Sequence, residues 1–247
     1  LEGKRVEMQP VISIDSMPSD WGFGNRILYF NNLVQLAAKD FSNRWCCFPW
    51  DGYKMFSGEM WTIEKPPTHN LPPCLGEVFF DWNTIPTRDV FKLKIKKYVK
   101  GISVAIHFRG TDFHEWNNNA ILSGNYYIEA IESIRNRVSN IIIFTDDETL
   151  PAFGLVKEHL QKEKISYSLG ENTNDRSKYA YDFNTMTECD YIISSPSTFC
   201  ICAGFIGKEK KIIHNKEWVE SRARLKDKFW LDLYNGGNKD YSIWRLI

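Results

Sequence analysis

Residues 104–113 read VAIHFRGTDF, an apolar run that delivers His107, Arg109 and Asp112 within six positions. In open α/β sheets, ligands bind outside the carboxyl ends of the strands. A guanidinium at such an end offers a rigid planar fork of donors that suits a phosphate. The competing reading of Arg109 is a loop arginine in a surface ion pair. Two further apolar runs end in polar groups. Residues 140–145 lead into Thr145, Asp146 and Asp147, and residues 191–194 lead into Ser194, Ser195, Pro196, Ser197, Thr198 and Phe199. Were all three runs parallel strands, their polar ends would converge on one edge of a sheet. Arg109 would then supply charge to a diphosphate. Ser197, Thr198 and their backbone amides would cradle its oxygens at the start of the next helix, and Asp182 or Asp190 could accept from a base N–H or a ribose hydroxyl. Taken singly, each serine or threonine reads as a helix cap. Asp146 and Asp147 invite a metal reading, but no ligand cluster accompanies them, so they read better as a strand-end cap or as acceptors. His107 reads as a general base or, preferably, as a satisfied histidine that holds Arg109 in place. His69, His114, His159 and His214 read as surface or packing residues.

The elements that must position these groups alternate. Residues 102–108 are expected as a strand. Residues 125–138 are expected as a helix, with Tyr127, Ile131, Ile134 and Val138 spaced for one face. A strand over 140–145, helices over 151–163 and 182–189, a strand over 191–194 and a last strand over 210–214 follow. Such alternation predicts a parallel sheet covered by helices, with right-handed crossovers. Upstream, Gly22 and Gly24 predict a tight turn feeding a helix through residues 21–40, whose amino end suits an anion or a sugar hydroxyl. Residues 41–73 read as irregular, with a short strand at 44–48 and loops at the proline pairs beginning at Pro66 and Pro72. Residues 89–99 are expected as a short helix with a basic face, and a boundary is placed near 97–101.

Hydrophobic residues make up 43% and charged residues 25%, ordinary values for a globular protein. The 31 basic and 31 acidic residues cancel, which argues against a nucleic-acid partner. The chain carries 9 Trp, 11 Tyr and 16 Phe, enough for sugar stacking as well as for the core, which is the default reading. No apolar run is long enough to span a membrane, and no leader pattern opens the chain. The first residue is Leu1 rather than Met, so an upstream anchor is left open. Cys46 and Cys47 are adjacent, Cys200 and Cys202 follow an apolar segment, and Cys74 and Cys189 stand alone. None has paired metal-ligand spacing. A reducing, cytoplasmic setting is expected, or the Golgi lumen had an anchor been removed.

Taken together, the segments are familiar. His107, Arg109 and Asp112 resemble the HxRxxD signature shared by GDP-fucose-dependent fucosyltransferases of the α1,2, α1,6 and protein O-fucosyl groups, with the α1,2 group nearest by flanking sequence. Gly22-Phe-Gly-Asn25 resembles that family's GxGN segment. LSGNYYIEAI at 122–131, IFTDD at 143–147 and DFNTMTECDYIISSPSTF at 182–199 are similar to its later blocks, in the same order. The resemblance implies a GT-B-like α/β fold: two Rossmann-like domains facing across a donor cleft, here 1–100 on the acceptor side and 101–247 binding the nucleotide sugar. It implies inverting transfer of L-fucose from GDP-fucose to a glycan hydroxyl, of α1,2 type, with no metal and no other cofactor. Arg109 would bind the diphosphate with His107 in support, and Asp112 joins Arg109 as a catalytic candidate. Asp182 would meet the guanine or ribose. Ser197, Thr198 and Phe199 would lie against phosphates and sugar, and Gly24, Asn25 and Arg26 would contact the donor from the amino-terminal domain. The chain departs from the family in three places. Arg26 stands where Gln is common, a second arginine is missing after Arg109, and Cys200, Ile201 and Cys202 replace an aromatic pair. Asp20, Asp112 and Glu115 are the candidate bases. The alternatives are a GT-B transferase of another nucleotide sugar and a non-catalytic binding module of the same fold. Oligomeric state is not legible.

Overall fold

A computed structural model describes residues 12–14, 22–40, 45–47, 49–58, 89–94, 99–171, 179–207, 211–225 and 244–247. The chain divides into two compact units, Leu1–Lys94 and Ile95–Ile247. Asp20, His69, Cys74, the loops at Pro66 and Pro72 and part of the expected 97–101 boundary lie outside the described residues.

The amino-terminal unit contains β1 (Ile12–Ile14), α1 (Phe23–Asp40), β2 (Trp45–Cys47), α2 (Gly52–Met55), β3 (Phe56–Ser57) and β4 (Lys92–Leu93). Strands β1 and β2 pair in parallel. The described core is aromatic: Phe30 packs against Trp45, Trp50 and Phe91 with ring centres 5.3–6.0 Å apart, and Phe56 meets Phe91 at 5.0 Å. Two expectations need correction. Helix α1 already begins at Phe23, so Gly24 sits in its first turn rather than in a preceding loop, and the Arg26 amide bonds back to the Gly22 carbonyl at 3.2 Å. The helix expected over 89–99 gives way, in its described part, to strand β4 paired antiparallel with β3. The pattern there has period two: Phe91 is buried while Lys92 and Lys94 are exposed.

The carboxyl-terminal unit is built on one six-stranded sheet. Its elements are β5 (Ser103–Phe108), α3 (Phe113–Trp116), α4 (Gly124–Ile134), β6 (Asn140–Thr145), α5 (Pro151–Lys162), β7 (Tyr167–Leu169), α6 (Tyr179–Glu188), β8 (Tyr191–Ile193), α7 (Thr198–Ile206), β9 (Lys211–His214), α8 (Lys216–Arg224) and β10 (Trp244–Leu246). Every pairing is parallel, and the spatial order is β10-β9-β8-β5-β6-β7. Counted from β5, that is the 3-2-1-4-5-6 order of a Rossmann-like sheet, whose winding reverses between the first and fourth strands. Here the reversal lies between β5 and β8.

Each strand alternates its faces. Phe108 packs on Tyr127 of α4 and Phe153 of α5, with ring centres 4.1 and 5.8 Å away. Its neighbour His107 must therefore face the other way, and it lies 5.8 Å from Phe199 of α7. Helices α4 and α5 pack together, as do α6 and α7. Helix α7 is apolar around nearly its whole circumference and is almost wholly buried.

The helix expected over 125–138 ends at Ile134 and tightens into a 3₁₀ turn at Arg135–Arg137, a common helix ending. Helix α6 opens at Tyr179, before Asp182, which occupies its first turn, where a carboxylate complements the helix dipole. Strands β7 and β10 were not expected. Each is three residues long, too short to show a period.

Candidate active site

The polar ends of β5, β6 and β8 do share the carboxyl edge of the sheet. The register sets Phe108 opposite Thr145 and Ile106 opposite Ile193. Arg109 therefore emerges beside Asp146, with the 194–198 loop on its other side. Arg109 Nη1 lies 2.8 Å from Asp146 Oδ2, and its Nε donates to Asp112 Oδ1 at 2.8 Å. Asp146 also accepts the Gly110 amide on Oδ1 and the Thr111 hydroxyl on Oδ2, each at 2.8 Å. Burial opposes the charge on Arg109, but the Asp112 hydrogen bond and the Asp146 and Asp112 carboxylates outweigh it, so its pKa is raised and it stays cationic. Asp147, the neighbouring carboxylate, instead caps the Thr149 amide and hydroxyl at 2.9 and 2.6 Å.

His107 and Ser195 tie the two sides of the reversal together. His107 Nδ1 and Ser195 Oγ share a buried hydrogen bond of 2.7 Å between residues 88 apart in the chain. Burial, only partly offset by Asp146, lowers the His107 pKa to about 4, so the ring is neutral near pH 7. Its backbone carbonyl accepts the Tyr127 hydroxyl at 3.2 Å. The hydrogen bond ties the ring to the serine loop.

The loop from Ser194 to Ser197 is fastened at each residue that has the chemistry to do so. Ser194 Oγ lies 2.9 Å from His214 Nδ1 and donates to the Ile213 carbonyl at 3.2 Å. The Tyr126 hydroxyl sits 2.9 Å from both the Ser194 and the Ile213 carbonyls. Ser197 caps α7 by accepting the Phe199 amide at 3.3 Å. The Cys200 thiol, pushed up to about 12 by burial, stays protonated and lies 3.4 and 3.2 Å from the Ser195 and Ser197 carbonyls. The first turn of α7 carries no acidic residue of its own.

Asp182 lies on the same edge, farther along the sheet. Its Oδ1 accepts the Glu171 amide at 2.8 Å, and a Cβ on Gly170 would approach that oxygen to 2.9 Å. Asp190 is elsewhere: Oδ2 accepts the Ser103 amide at 2.9 Å, at the amino end of β5. It is thus at the other edge of the sheet from Arg109, contrary to the expectation that it could serve a base or ribose. In the amino-terminal unit, Gly24, Asn25 and Arg26 form the first turns of α1, and Arg26 Nη1 lies 3.0 Å from Asp51 Oδ1. His159 has a partner the sequence did not reveal, Glu132 at 2.9 Å. His214 is fully buried, with its pKa lowered to about 3 by desolvation.

Asp146, Ser195 and Tyr126 were not among the expected site residues. Asp146 stood in view as a strand-end carboxylate. Its service to Arg109 follows only from the β5–β6 register, which sequence periodicity does not fix. Among the described residues no group of three or more His, Cys, Asp or Glu is arranged to hold a metal ion. No helix among them is long and apolar enough to cross a membrane.

The sequence model of glycosyl transferase family 11 matches residues 91–236. No curated protein and no solved structure matches the chain. The family match covers more than half of the chain and contains the Arg109 edge, the braced serine loop and Asp182. The chain belongs to glycosyl transferase family 11, the α1,2-fucosyltransferase family, and is by that membership a glycosyltransferase of the fucosyltransferase superfamily.

Proposed function

We propose that the chain transfers L-fucose from GDP-fucose to a glycan hydroxyl, with inversion at the transferred carbon, α1,2 linkage and no metal. The observation that carries this reading is the Arg109 guanidinium, fixed by Asp112 and Asp146 at the point where the sheet reverses its winding. Departure of GDP leaves negative charge on the diphosphate, and prepositioned donors stabilise that charge without reorganising. Arg109 has the right character for that task, and the positive amino end of α7 would add to it. Ser197 and Phe199 would flank the same diphosphate and sugar, and Asp182 would accept from the guanine or ribose. His107 holds the loop through Ser195, and Asp112 orients Arg109. By the family resemblance, the carboxyl-terminal unit would be the donor-binding half of a GT-B pair. The acceptor side, with Gly24, Asn25 and Arg26 contacting the donor, would belong to the amino-terminal unit.

The test is Arg109→Ala with GDP-fucose and a glycan acceptor array. Transfer should fall by about 10²–10³-fold, the usual effect of losing one such donor, while circular dichroism stays that of the parent. Turnover near the parent rate would reject the role. Calorimetry against GDP- and UDP-sugars should show binding of the guanine nucleotides alone, and excess chelator should leave the rate unchanged. UDP-sugar binding would favour another donor. GDP binding with neither transfer nor slow donor hydrolysis would favour a binding module.

A further inference from the structure

Trp116 stands out among the residues close to Arg109. It is 56% exposed, one of the few large apolar side chains among the described residues that are. Its ring is nevertheless braced by two buried aromatics, with centres 5.2 Å from Phe113 and 6.2 Å from Trp218 of α8. Arg222 in turn covers Trp218 at 5.6 Å. Its attachment to the site is short. The Trp116 amide bonds to the Asp112 carbonyl at 3.0 Å, and the Asp112 carboxylate holds Arg109. Both indoles come from segments that follow carboxyl strand ends, Trp116 after β5 and Trp218 after β9. The exposed ring is therefore on the ligand edge of the sheet.

We infer that Trp116 is a stacking platform for a neutral pyranose ring of the acceptor. The inference rests on the sugar-transfer reading given above. An indole presents a broad apolar face with an electron-rich quadrupole, which suits the C–H-bearing face of a sugar. A ring already held by Phe113 and Trp218 has little rotamer freedom left to lose on binding. Exposed Glu115 beside it makes an anionic sugar the poorer fit. Single exposed hydrophobic residues are common on protein surfaces. Trp116 differs in being braced from beneath and in lying one helical turn from the residue that orients Arg109.

The test compares the parent with Trp116→Ala and Trp116→Phe. Indole fluorescence is titrated with lactose, maltose and chitobiose in the absence of donor. GDP affinity is measured by calorimetry, and KM is measured for any of the three that is fucosylated. At least one sugar should change the parent's fluorescence. In Trp116→Ala that response should vanish and the acceptor KM should rise about tenfold, the scale of one aromatic stacking contact, with GDP affinity within about twofold of the parent. Trp116→Phe should recover part of the loss. No response to any sugar in the parent, a response undiminished in Trp116→Ala, or an equal fall in GDP affinity would each overturn the platform. A parent that binds a sugar through Trp116 but neither binds GDP nor transfers fucose would uphold the platform and refute the donor assignment.

Discussion

Two carboxylates hold Arg109, and they are unequal. Asp146 is mostly shielded and satisfies Arg109, Gly110 and Thr111 together. Asp112 is 60% exposed and makes one ion pair with Arg109. Exposed pairs contribute about 0–1 kcal/mol, whereas a carboxylate shared by three donors fixes a local geometry. Asp112→Asn should therefore lower turnover by less than about threefold. Asp146→Asn should lower it about tenfold or more and raise the donor KM as the Arg109 fork swings free. Steady-state kinetics on the two variants decide the matter. A hundredfold loss of kcat in Asp112→Asn would instead make Asp112 the acceptor's base.

At the scale of elements, the 194–198 loop depends on a helix from the opposite face of the sheet. The Tyr126 hydroxyl of α4 reaches two carbonyls at the carboxyl ends of β8 and β9. The Ile213 carbonyl also accepts the Ser194 amide and hydroxyl, so it would survive the loss of Tyr126. The Ser194 carbonyl would not be so compensated. Tyr126→Phe should cost about 1–2 kcal/mol of stability, the price of one orphaned buried acceptor, and should weaken GDP binding more than it alters kcat. Denaturant midpoints and calorimetry would show it, and unchanged GDP affinity would separate the loop from the phenol. The sequence disclosed much of this architecture and little of its fastening. Strands β5 and β6 were legible because each is a run of six rich in β-branched or aromatic residues and is followed at once by a charged one, Arg109 or Asp146. Strand β10 was not, since WRL has neither length nor alternation. The convergence of Arg109 and the serine loop followed from parallel strands alone. The Tyr126, Ser195 and Asp146 contacts needed register and side-chain direction, which pattern does not supply.

For the whole molecule, two buried histidines link stability to acidity. Desolvation holds His107 near about 4 and His214 near about 3, against an ordinary value of about 6.5. Between those values the unfolded chain binds protons that the folded chain refuses, so the unfolded state gains as pH falls. Stability should be highest above about pH 6.5 and should decline steadily toward pH 4. Urea midpoints measured from pH 7.5 to 4.5 should follow that slope, and His214→Gln should flatten it. A flat profile in the parent would mean that both rings take up protons as readily in the folded chain as in the unfolded one.

Because β8 enters the sheet beside β5 only after β6 and β7 have been laid down on the other flank, the pairing that sets Arg109 beside the 194–198 loop joins the first strand of this unit to the fourth. Such non-local pairing is slow relative to neighbouring-strand closure. On refolding, secondary structure should regain its amplitude before nucleotide affinity does, with ligand capture confined to the final kinetic phase. A nascent polypeptide released before Tyr191 would hold Arg109 and half a sheet, but neither β8 nor the serine loop that follows it.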